Sequence, residues 1–70
     1  MRYSELRRKL KKLGYEPLRQ AGGSHEIWWR PDTDLRTVIP NHPSREIPTG
    51  TLRSILKDLG LTLEDLSRKS

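Results

Sequence analysis

The chain contains no cysteine. Disulfides and thiolate metal sites are therefore excluded, and nothing points to an oxidising compartment. No apolar run approaches the roughly 20 residues that cross a bilayer, and the N-terminus lacks the apolar centre of a signal peptide. The expected location is the cytoplasm, with no membrane partner. Several chemical signatures are missing as well. There is no P-loop and no dinucleotide fingerprint, which argues against nucleoside triphosphate chemistry. The stretch His25-Glu26-Ile27-Trp28-Trp29 lacks the second histidine of the zinc-protease pattern, and Asp32 and Asp34 lack the rest of a calcium loop. Neither a metal nor a small-molecule cofactor is expected.

Acid is scarce where base is dense. Fourteen Lys and Arg against nine Asp and Glu give a net charge of +5. Arg2, Arg7, Arg8, Lys9, Lys11 and Lys12 crowd the first twelve residues, where Glu5 is the only acid. A clustered cationic surface attracts polyanions, and release of condensed counterions drives association with nucleic acid. The same charges also fit a solvated helix face that keeps a small protein soluble. Seventy residues make one domain, 1–70, with no room for a second core.

Hydrophobic spacing predicts the elements. Tyr3, Leu6, Leu10 and Leu13 recur at helical intervals, with Ser4 as the expected cap and Gly14 as the stop. Glu16 to Ala21 reads as extended, with Pro17 restricting it to an edge or a strand start. Gly22-Gly23 marks a turn, Ser24 to Arg30 a second strand, and Pro31-Asp32-Thr33-Asp34 another turn. Leu35 to Ile39 gives a third strand, closed by Pro40. After an irregular stretch, Thr49 is the expected cap of a helix carrying Leu52, Ile55, Leu56 and Leu59, which Gly60 ends. Thr62 and Asp65 resemble a capping box opening a short last helix, and residues 67–70 are expected to fray. The fold class is α+β, in the order α-β-β-β-α, with a three-stranded antiparallel sheet and both helices on one face. Double-stranded RNA-binding domains use this topology, which is an analogy for function and no more.

His25 follows Gly23 and Ser24 at the mouth of the second strand, where glycine lets the backbone approach a ligand. Imidazole titrates near neutrality and can move a proton. RNA carries its own nucleophile in the 2′-hydroxyl, so a ribonuclease needs only acid–base help and positive charge near the phosphate. Taken alone, His25 fits equally an exposed polar residue at a strand end. His42, in a proline-flanked loop, reads more simply as a structural residue. Of the Trp28–Trp29 pair, alternation sends one side chain inward and leaves one free to stack on a base. Alternation alone leaves open which one faces out, and both could shield a thin core; because Ile27 and Trp29 share a face, the pattern leans toward Trp28 as the outward residue.

Gly23-Ser24-His25, Val38-Ile39-Pro40 followed by His42, Glu46-Ile47, and Gly50-Thr51-Leu52-Arg53-Ser54-Ile55-Leu56 ending at Gly60 closely resemble the HicA family. The opening helix with Leu6, Leu10, Leu13 and Gly14-Tyr15 extends the resemblance over nearly the whole chain. It implies the toxin of a HicA–HicB toxin–antitoxin system: an mRNA interferase with a double-stranded-RNA-binding-like fold. The resemblance makes His25 the catalytic residue, supported by Gly23 and Ser24, and implies a HicB-type antitoxin that masks it. Arg7, Arg8, Lys11, Lys12, Trp28 and Arg45 are the candidate RNA contacts. Two other readings compete: a double-stranded-RNA-binding module that does not cut, and a basic protein-interaction domain that meets an acidic partner.

Overall fold

The computed structural model describes residues 1–41 and 45–67. Its elements are α1 (Tyr3–Lys12), β1 (Glu16–Gln20), β2 (His25–Arg30), β3 (Leu35–Pro40), α2 (Thr49–Leu59) and α3 (Leu63–Ser67). The strands form one antiparallel sheet in the order β1-β2-β3. This is the α+β arrangement the hydrophobic spacing predicts. His42, expected in a loop, and residues 68–70 of the tail expected to fray lie outside the described residues, while Ser67 closes α3 with its hydroxyl donating to the Glu64 carbonyl at 2.9 Å.

Both long helices end as their glycines require. After α1, Gly14 takes φ 94°, and the N–H groups of Tyr15 and Gly14 donate to the carbonyls of Leu10 and Lys11. This is a Schellman stop, with Tyr15 and Leu10 buried together beneath it. Gly60 ends α2 in the same way at φ 71°, with Leu61 N–H donating to the Leu56 carbonyl at 2.8 Å. The capping box also forms: Thr62 N–H donates to Asp65 Oδ2 at 2.8 Å, and Asp65 N–H to Thr62 Oγ1 at 3.2 Å.

The helix starts differ from expectation. Ser4 is not the cap of α1; that place belongs to Arg2, whose side chain makes no capping bond. Arg2 is extended because it pairs in an antiparallel bridge with Glu46, and Ile47 N–H donates to the Met1 carbonyl at 2.8 Å. The helix leaves that bridge directly, two residues sooner than a Ser4 cap would have set it. Thr49 is likewise inside α2, and Pro48 precedes it with no side-chain bond. A proline there fixes an extended entry and leaves its carbonyl for Leu52 N–H at 2.9 Å.

The core is built from Tyr3, Leu6, Leu10, Tyr15, Ile47, Leu52, Ile55, Leu56, Leu59 and Leu66 together with only two apolar sheet residues, Trp28 and Ile39. Trp28 stands opposite Thr37, and Ile39 opposite Glu26, so these residues share the face that the helices cover. The expectation that Trp28 faces outward is therefore wrong: it is 0% exposed, and Trp29 is the partly exposed member of the pair. The Ile27–Trp29 face is the outer one. The inner face looked polar in the sequence because it also carries Glu26 and Arg30, at the two ends of its run.

Candidate active site and nucleic-acid interface

The β1–β2 turn sets His25 in place. Gly22 and Gly23 adopt φ 90° and 55°, and a Cβ at either position would meet nothing within 4 Å. The requirement there is conformational, since left-handed backbone is costly for any residue with a Cβ. His25 N–H donates to the Gly22 carbonyl at 3.2 Å, and its own carbonyl accepts from Ala21 N–H at 3.0 Å. On the other side His25 pairs with Pro40 of β3, and Asn41 N–H donates to the Ser24 carbonyl just beyond. His25 is thus the first residue of a central strand, its own backbone bonded to Gly22 and Ala21 on the turn side and flanked on the β3 side by the Ser24–Asn41 bond, and it is exposed. Alternation from Trp28 places it on the sheet face opposite the helices, with Ile27 and Trp29.

A carboxylate fixes the inner side of the same strand end. Glu26 Oε1 accepts from the Tyr3 hydroxyl and, at 3.1 Å, from Trp28 Nε1, while its Oε2 accepts from Asn41 Nδ2 at 3.2 Å. The start of α1, the middle of β2 and the end of β3 therefore converge on one anion. Burial pushes the Tyr3 hydroxyl up to about 12, reinforced by its bond to Glu26 and the carboxylate's charge. Tyr3 consequently stays a phenol and a donor throughout the neutral range. Glu26 is thus occupied on the inner face, whereas His25 lies on the opposite face of the same strand.

The candidate cations are dispersed. Arg7, Arg8, Lys11 and Lys12 are all exposed on α1, and Arg45 is exposed in the loop before α2. Tyr3 at the start of α1 meets Glu26, beside His25, and Arg7 stands close enough to affect the Tyr3 hydroxyl. The far end of α1 meets the opposite end of β2, where the Arg30 guanidinium lies 5.8 Å from the Tyr15 ring centroid. Lys11 and Lys12 therefore belong to the Arg30 end of the strand, about 17 Å of extended chain from His25. Arg45 is better placed: with Glu46, Ile47 and Pro48 it lines a cleft of about 220 Å³ whose other wall is Pro40, the strand partner of His25. Trp28, buried under the helices, offers no surface to a nucleic acid.

A family model described as the HicA toxin of bacterial toxin–antitoxin matches residues 3–61. The chain belongs to the HicA toxin family. The matched span runs from the first residue of α1 past the Gly60 stop of α2, and so includes the glycine turn, His25 and the whole sheet. Membership in a toxin–antitoxin family carries with it an antitoxin partner. No curated protein and no solved structure gave a match. Among the described residues no group of three or more His, Cys, Asp or Glu side chains is placed to hold a metal ion, and no helix is long and apolar enough to cross a membrane.

Sequence reasoning missed the Tyr3–Glu26–Asn41 cluster of this HicA-family chain. The available signal was Glu26 itself, a carboxylate two residues from a buried tryptophan and so on the same inner register of a central strand. The cluster has a measurable consequence. An unfolded tyrosine ionises near pH 10, whereas Tyr3 in the fold holds its proton to about 12. In that window the unfolded chain releases a proton that the folded chain keeps, so stability falls as pH rises through it. Tyr3→Phe is expected to be less stable at pH 7 by about 1 kcal/mol, through loss of the Glu26 bond. It is also expected to lose stability less steeply than wild type above pH 10. Urea melts at pH 7 and at two or three points above pH 10 measure both effects.

Proposed function

We propose that this HicA-family toxin is a metal-independent endoribonuclease that binds mRNA and cleaves it with His25 as the catalytic residue. The observation that carries the reading is the placement of His25, an exposed imidazole held by backbone hydrogen bonds at the head of a central strand. His25 serves as general base toward the 2′-hydroxyl or as general acid toward the departing 5′-oxygen, a role typically worth 10²- to 10⁴-fold. Attack of the 2′-oxygen on phosphorus forms the new P–O bond as the P–O5′ bond breaks, leaving a 2′,3′-cyclic phosphate and a 5′-hydroxyl. Arg45, beside Pro40, and Arg7, at the Tyr3 end of α1, are the cations that neutralise charge building on the phosphate. Lys11, Lys12 and Arg8 steer RNA at longer range. A HicB-type antitoxin neutralises the toxin by covering His25.

With Glu26 committed to Tyr3, Trp28 and Asn41, it is not free to assist His25, and slow turnover follows. Slow cleavage suffices for a toxin. Product chemistry tests the reaction type: the account requires 2′,3′-cyclic phosphate and 5′-hydroxyl ends in the presence of EDTA. Fragments with 5′-phosphate ends, or cleavage that stops on chelation, would contradict it. The non-cutting binding module is left as the reading for a chain that holds RNA but yields no fragments.

A further inference from the structure

The sheet face carrying His25 is the one the helices leave uncovered. Down β2 it presents His25, Ile27 and Trp29; across from them β3 presents Pro40, Val38 and Arg36. Val38 is 49% exposed at the middle of this face. At the end away from His25, the Arg36 guanidinium lies over the Trp29 ring, 5.4 Å from its centroid. Arg36 is held there because its Nε and Nη2 donate to Asp34 Oδ1 at 3.2 and 2.9 Å. Asp34 is itself fixed in a left-handed turn conformation, φ 59°, with its N–H on the Arg30 carbonyl at 2.8 Å. An indole and a guanidinium are thereby locked together as one π surface, on the same face as the candidate catalytic imidazole.

We propose that this open face is a platform for single-stranded RNA, on which a nucleobase stacks against the Trp29–Arg36 pair while the scissile phosphate lies at His25. The proposal rests on the ribonuclease reading for the position of the phosphate, and on the face itself for the stacking site. Four steps along the strand lead from His25 to Trp29, a span of about 13 Å, well within the footprint of roughly four or more nucleotides that a single-strand-binding surface occupies. Aromatic and guanidinium planes accept any base, and the aliphatic floor of Ile27 and Val38 receives what lies between. On the β1 side, Arg19 stands opposite Ile27 and Glu16 opposite Trp29. Phosphates are therefore drawn toward Arg19 and kept from the Glu16 corner of β1, while Arg36, already paired with Asp34, serves the stacking surface. An A-form duplex hides its base faces in the stack, so this surface selects unpaired RNA. Trp29 acts as a positioning residue: it binds substrate away from the reacting bond.

The test is a fluorescence titration of the full chain with a 2′-O-methyl single strand of about eight nucleotides, which lacks the nucleophile and stays uncut. Wild type, Trp29→Phe, Trp29→Ala and Arg36→Gln are compared, alongside a duplex of the same sequence. The single strand should quench emission in wild type but not in Trp29→Phe, whose remaining indole is the buried Trp28. Trp29→Ala should weaken binding by about 5- to 150-fold, the equivalent of one lost base stack, and Trp29→Phe should restore most of it. In cleavage assays KM should rise with kcat little changed, since uniform binding is what is lost. Should Trp29→Ala unfold, the quenching contrast with Trp29→Phe and the affinity of Arg36→Gln decide instead. Equal binding by wild type and Trp29→Ala, or equal quenching by duplex, overturns the platform even if wild type cuts RNA; the face is then left to a protein partner. Quenching by the single strand from a chain that cuts nothing supports the platform and rejects the ribonuclease.

Discussion

Trp28→Ala is expected to lose roughly 40% or more of the chain's folding stability. Trp28 is 0% exposed and is the largest of the fully buried side chains. Truncating a buried tryptophan typically costs 3–5 kcal/mol through lost transfer energy and the cavity left behind, so a loss of about 4 kcal/mol is expected. A folded chain of this length has in total only about 3.5–10 kcal/mol, at 0.05–0.15 kcal/mol per residue. No disulfide is present to offset the loss. The substitution also removes the indole donor from Glu26 Oε1, 3.1 Å away, at the point where α1, β2 and β3 are tied. Trp29→Ala, one residue along but on the open face, should cost far less. Urea midpoints followed by circular dichroism separate the two. Similar midpoints for both variants would mean that the helices do not pack on the Trp28 face.

His25→Ala is expected to do the reverse, keeping the fold and losing the chemistry. The side chain is exposed, and substitutions at exposed positions away from caps and cores usually change stability by no more than about 0.5 kcal/mol. The backbone bonds that hold residue 25 to Gly22 and Ala21 do not involve the imidazole. Cleavage, by contrast, should fall by 10²- to 10⁴-fold, the usual range for removing a general acid or base. RNA affinity should change little, because the exposed arginines and lysines and the sheet face remain.

Much of this was legible because local signals agreed with one another. Leucines at helical spacing, Gly14 and Gly60 at the stops, and Thr62 with Asp65 each fixed an element end through bonds within a few residues. Helix starts were less legible. Arg2 and Pro48 open α1 and α2 in place of Ser4 and Thr49, because the entry to α1 is set by a bridge between residues 44 positions apart, Arg2 and Glu46. The tryptophan assignment failed for a related reason. Strand alternation pairs Trp28 with Glu26 and Arg30, a polar-looking face that becomes interior because Tyr3 and Asn41 satisfy the Glu26 carboxylate from 23 and 15 residues away. At the candidate site, His25 and its glycine turn could be named from sequence, since the turn is local. The separation of Lys11 and Lys12 from His25 could not, because it depends on how α1 lies across the sheet.

The central claim is tested most directly by incubating purified wild type and His25→Ala with the same mRNA in EDTA, both proteins first shown folded by circular dichroism. The account predicts fragments from wild type and at least about 10²-fold fewer from His25→Ala. Equal cutting by the two proteins, or none by wild type, would contradict it.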